Sequence, residues 1–160
     1  MLDALTPMAQ SWNAIYSNHP VLRTGIGFAH IAALVGAGGC AIMTDRTILA
    51  ISRLDPSARL ARLGALHSTH RFILTGLAVI FMSGLLLLAA DLDTYLHSVV
   101  FWVKIALVAL LCANGAVIVR VGRRVSAGDV GAWSTLRYAS IASLSLWFLT
   151  TLLGAGLPNV

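Results

Sequence analysis

The chain has 160 residues, of which 58% are apolar and only 11% charged, and it contains no Glu. A water-soluble domain carries about 25% charged residues and roughly 45–50% apolar ones, so this balance excludes an ordinary soluble fold. The formal charge of +5 would suit nucleic acid if its carriers formed one face, but they flank apolar runs, which ties them to membrane topology and to contact with anionic lipid heads.

Taken in chain order, residues 1–20 read as a segment lying at the outer membrane interface. Trp12 and Tyr16 stand there with Leu2, Leu5 and Ile15, and amphipathic rings favour the headgroup level. No basic stretch precedes an apolar core and no small-residue cleavage site follows, so a removable signal peptide is not expected. Apolar runs then occupy Val21 to Met43, Phe72 to Ala90, Val99 to Val119 and Ile141 to Leu157. Each approaches the ~20 residues that a helix needs to cross ~30 Å of hydrocarbon. Backbone polar groups in lipid must be satisfied within the segment, and the short alternation of barrel strands is missing. The expected fold is all-α: an integral membrane four-helix bundle in one domain, with spans at about 21–43, 72–90, 99–119 and 136–157.

The longest connection, Thr44 to Arg71, holds Asp55 and Pro56, an N-cap and first-turn pair, followed by Leu60, Leu63 and Leu66 on one face. This predicts a cytoplasmic interfacial helix over about 56–66. The connection Gly122 to Trp133, with Gly122, Gly128 and Gly131, predicts a plain turn. Of the eleven Lys and Arg residues, all except Arg23 and Lys104 lie in or beside these two connections, while Asp91 to His97 has none. The positive-inside bias then places both termini outside and the arginine-bearing connections in the cytoplasm, as in a bacterial-type inner membrane. Cys40 and Cys112 fall inside spans and are expected to be reduced and packed.

A few side chains are expensive to keep in such a background. His30 lies roughly 14 Å below the start of its span, with Ile26, Gly27, Ala33, Leu34, Ala37 and Ala41 on its face. Two readings stand: small residues admit a neighbouring helix, or they leave room for a planar cofactor whose metal the imidazole ligates. Lys104 lies roughly 8 Å into the third span, and either snorkels to the headgroups or faces the bundle and pairs with an anion. His67 and His70 share a helical face at the inner mouth of the second span, which alone is a weak metal signal. His19 and His97 mark the outer edge and are within reach of a site there. Asn114, Ser140, Ser143, Thr150 and Thr151 suit interhelical hydrogen bonds. Asp45 and Arg46 are expected to pair with each other or with headgroups. Phosphate-cradling loops, a nucleophile elbow, His-Glu-x-x-His and Cys-x-x-Cys are all missing, which argues against a hydrolase or a nucleotide-driven pump.

Phe28-Ala29-His30-Ile31-Ala32 followed by Gly36 to Gly39, and Phe101-Trp102-Val103-Lys104-Ile105-Ala106-Leu107-Val108, resemble the first and third helices of small four-helix membrane proteins. That group includes the HemJ-type protoporphyrinogen oxidases and the membrane domain of copper-resistance D proteins. The resemblance implies haem or porphyrin contact at His30 and Lys104. The Glu that typical members carry in the second helix has no counterpart here, so porphyrinogen oxidation does not carry over. His70-Arg71 is also similar to the start of the second helix in small bacterial membrane proteins. Two bis-His haems, as in diheme b-type bundles, are not expected, because the fourth span has no His.

The expected function is therefore binding of b-type haem in the outer half of the bundle for electron or proton transfer with a quinone or a membrane partner, an oxidoreductase role. His30 is the candidate axial ligand to haem iron, Lys104 the second ligand or anion partner, and His97 and His70 are further cofactor candidates. No catalytic residue is assigned. The competing expectations are an accessory subunit, favoured by Ala29, Ala33, Ala37 and Ala41 at intervals of four, and a copper or small-solute permease. Partners are the bilayer, with homo-oligomers open, and not nucleic acid.

Overall fold

Each apolar run is helical in the computed structural model, which describes residues 2–51, 54–55, 58–59, 62–63 and 69–156, with side chains from residue 7 onward. The helices are α1 (Leu2–Asn18), α2 (Pro20–Ile51), α3 (Thr69–Ala90), α4 (Leu92–His97), α5 (Val99–Ser126) and α6 (Ala132–Gly156). Four of them, α2, α3, α5 and α6, are long and apolar enough to cross a membrane. The chain is thus an all-helical, multi-pass membrane protein.

Neighbouring helices run antiparallel, as their paired residues show. Gly36 meets Phe72, and a Cβ on Gly76 would run into Ala37, so α2 and α3 approach closely. Gly38 of α2 lies under the Trp147 ring of α6. Asn114 Nδ2 of α5 donates to the Ala139 carbonyl of α6 at 2.9 Å. The order is α3, α2, α6, α5, and among the described residues α3 and α5 barely touch. Accordingly α2 and α6 bury more of their residues than the two flanking helices. Buried positions on α6 include Leu136, Ser140, Ser143, Trp147 and Thr150, alternately four and three apart, which keeps one narrow seam facing α2. Phe28, Ile31, Phe81, Leu110 and Phe148 point outward, as suits side chains bathed in lipid tails.

α1 packs on α3, and Trp12 Nε1 donates to the Leu86 carbonyl at 2.8 Å. Beside it, α4 brings Tyr95 against Phe101, with ring centroids 5.9 Å apart. Burial first, and then the neighbouring Asp91, pushes the Tyr95 phenol above its ordinary pKa. Ser98 caps α5, its hydroxyl accepting from Phe101 N at 3.4 Å.

The helices are longer than the apolar runs. α2 continues through Asp45 to Ile51 and α5 continues to Ser126, because Ile48, Ile51, Val121, Val125 and Leu136 form one buried cluster at that end. The turn predicted over 122–133 is reduced to the few residues after Ser126, where Gly128 takes a φ of 95°, a left-handed conformation that glycine adopts without strain. Asp129 Oδ1 then caps α6 by accepting from Ala132 N at 3.2 Å. The interfacial helix expected over 56–66 falls largely outside the described residues. Of those described, Ala58, Arg59, Arg62 and Leu63 are helical, and Asp55 Oδ2 accepts from Ala58 N at 3.2 Å.

Candidate functional site

His30 projects from α2 toward α3, where Nδ1 lies 2.9 Å from Ser83 Oγ. The serine has two further acceptors in reach. Its hydroxyl donates to the Val79 carbonyl at 2.6 Å, with the Ile80 carbonyl at 3.2 Å, and one hydroxyl has one hydrogen to give. With the Ser83 hydrogen on the Val79 carbonyl, Ser83 Oγ accepts from His30 Nδ1–H, and Nε2 is the nitrogen left with a lone pair. The ring lies over Gly84, where a Cβ would stand 3.5 Å from His30 Cε1. Thus Ser83 fixes one edge of the ring, which lies over the bare backbone of Gly84 at a distance that a Cβ would also fit.

Lys104 projects from α5 onto α6. A Cβ on Gly154 would stand 3.2 Å from Lys104 Nζ and 3.5 Å from Cε, so the stem lies along the bare backbone of α6. Gly154 is seven residues beyond Trp147, the partner of Gly38, and His30 is a similar rise above Gly38, roughly 10 Å in each case. The His30 ring and the Lys104 amine consequently stand at a similar height in the bundle, the ring against α3 and the amine against α6. Both are half-buried.

The other candidates stand elsewhere. His97 is bound within α4, its Nδ1 2.8 Å from the Asp93 carbonyl, and its side chain is 82% exposed. His70 opens α3, roughly 20 Å of helix rise from Ser83, and lines a different cavity with Arg71 and Arg123. Neither shares a site with His30: a helix carries His70 to the opposite end of the bundle, and the α4 backbone holds His97 at the surface. His19 is exposed between α1 and α2, and His67 lies outside the described residues. The stripe below His30 is used for packing. Ala33 and Ala37 fit against Gly76, so helix contact, not a planar cofactor, fills that part of the face.

Asp45 differs from its expectation. It is 3% exposed and faces Ser143 and Ser140 of α6, while Arg46 beside it is exposed. Ser140 Oγ is fully enclosed and, among the described residues, meets no partner at hydrogen-bond geometry, although the Asp45 carboxyl faces it. Asn114 does bridge helices, whereas Thr150 and Thr151 donate to the Leu146 and Trp147 carbonyls of their own helix at 2.8 Å each. That back-bonding is the local alternative open to a threonine four residues on from a carbonyl. Cys40 is half-buried, and Cys112 is exposed rather than packed; both are free.

Ser83, Gly84 and Gly154 were not singled out by the sequence reading. The available signal was the adjacent polar and small pair, Ser83-Gly84, inside the apolar stretch from Ile80 to Ala90. No family model, curated protein or solved structure matches the chain. Among the described residues no three His, Cys or Asp side chains gather to hold a metal ion. A bare ion would find too few protein ligands at His30, while a porphyrin brings four nitrogens of its own and asks for an axial base. The neutral imidazole with its other nitrogen tied to an acceptor is the arrangement that metal-ligating histidines use.

Proposed function

We propose that the protein holds one b-type haem or related porphyrin beside His30 and takes part in electron or proton transfer with a quinone or a membrane partner. What supports this reading is the contact of His30 Nδ1 with Ser83 Oγ, itself in reach of the Val79 carbonyl; with the serine hydrogen on that carbonyl, Nε2 is the ring's free base. When bound, haem would supply a one-electron redox couple. The chain's own residues have separate tasks. Ser83 holds the ring and its tautomer, the bare backbone of Gly154 seats the Lys104 stem, and the Lys104 amine offers a cation for an acidic substituent of the ligand. The site would lie in the outer half of a bacterial-type inner membrane.

Visible absorption of the protein purified after expression with ample haem tests the proposal. A Soret band that a pyridine haemochrome assay assigns to b-type haem, and that is lost in His30→Ala, is the expected result. A colourless protein, or a band unchanged in H30A, overturns it.

A second reading is favoured by a different observation. Gly25, Gly27 and Gly39 on α2, and Gly115 on α5, meet nothing within 4 Å, and such faces invite another helix. An accessory subunit of a larger membrane complex would use them, and it would co-purify colourless with a stoichiometric partner.

A further inference from the structure

At the end of the bundle remote from His30, the gap between α3 and α5 opens into a cavity of about 260 Å³. Ile118 and Val119 form its apolar side, with the buried Ile48 and Leu136 behind them, and His70, Arg71 and Arg123 its polar side. Arg71 stands in the first turn of α3 and Arg123 in the last turn of α5, so two guanidinium groups face one gap between helices that scarcely touch. Among the described residues no carboxylate pairs with either of them, whereas Arg124, one residue on, is paired with Asp129 at 2.8 Å. Both arginines are exposed, and an anion between two like charges lowers their mutual repulsion. A small inorganic anion would satisfy the arginines and leave the apolar side facing water. An amphiphile with an anionic head satisfies both.

We propose that this cavity binds an anionic phospholipid, its phosphate held between Arg71 and Arg123 and its acyl chain laid along Ile118 and Val119. Arginine suits the task because its planar fork matches two phosphate oxygens, and basic pockets between spanning helices at headgroup level recognise lipid phosphates. The site is independent of any cofactor at His30.

The test is thermal unfolding of the full chain in neutral detergent, titrated with phosphatidylglycerol, with phosphatidylcholine or with inorganic phosphate. Phosphatidylglycerol is expected to raise the midpoint saturably, while the other two have no effect. The double variant R71Q/R123Q should raise the half-saturating concentration roughly 30-fold, about a factor of five per arginine. R120Q/R137Q, which changes exposed arginines near the same end, should respond as the native chain does. If the double variant does not fold, R123Q alone should show the fivefold change. Equal stabilisation by phosphatidylcholine, a full shift with phosphate alone, or an unchanged response in R71Q/R123Q or R123Q would each overturn the proposal.

Discussion

A serine hydroxyl has one proton, and in this protein its destination decides what His30 can do. With the Ser83 proton on the Val79 carbonyl, the imidazole must donate through Nδ1, and Nε2 becomes the base. Ser83→Ala removes the acceptor and frees the ring to rotate and to change tautomer. Loss of one such bond lowers stability by about 0.5–1.5 kcal/mol, and loss of an orienting partner weakens metal ligation roughly 10–100-fold. Two measurements check this. Imidazole ¹⁵N shifts should report protonated Nδ1 and bare Nε2 in the native chain and a mixture in S83A, and haem titration should show the weakened binding. A native spectrum with the proton on Nε2 would remove the basis for ligation. Sequence could supply His30 and its depth but not this network, because Ser83 lies 53 positions away and only the antiparallel register of α2 and α3 brings it to the ring.

At the scale of the element, the α2–α3 contact depends on the absence of a side chain. Gly76 sits where a Cβ would meet the Cβ of Ala37 and approach the Ala33 carbonyl; backbone and a methyl group on a packed helix cannot step aside. Gly76→Ala should therefore part the helices, at about 1–3 kcal/mol, the usual scale of overpacking. Chemical or thermal unfolding in detergent measures the loss. Gly39→Ala, where nothing stands within 4 Å, should change stability little, and equal effects of the two would mean that helix propensity alone was acting. The runs that form helices were legible in hydropathy, since lipid leaves the backbone no other partner. Their ends were not. Hydropathy falls at Thr44 and Arg120, yet α2 and α5 continue because Ile48, Ile51, Val121 and Val125 find one another across the bundle, a tertiary effect that no local window contains. Asp45 was misread for the same reason. Beside Arg46 it resembles an interfacial pair, but the four-three seam of α6 carries Ser140 and Ser143 to its side.

For the whole molecule, the two proposed sites lie at opposite ends of one bundle, and which faces the cytoplasm depends on charge. His30 and Lys104 lie toward the end where α2 starts and α6 finishes, and Arg71 and Arg123 stand at the other end. The arginine-bearing connections are expected inside, which puts the His30 layer toward the exterior and the lipid cavity in the cytoplasmic leaflet. Single cysteines decide it. In a background with Cys40 and Cys112 replaced by serine, Asp93→Cys and Ala127→Cys each place one thiol at an exposed position, at opposite ends of α5. A membrane-impermeant maleimide added to intact cells should label D93C and leave A127C unmodified until the membrane is opened. The reverse pattern would invert the protein, turn His30 toward the cytoplasm and place Arg71 and Arg123 in the outer leaflet. Labelling of both in intact cells would mean that orientation is mixed, and the bias of a few arginines would then be too weak to insert this bundle one way round.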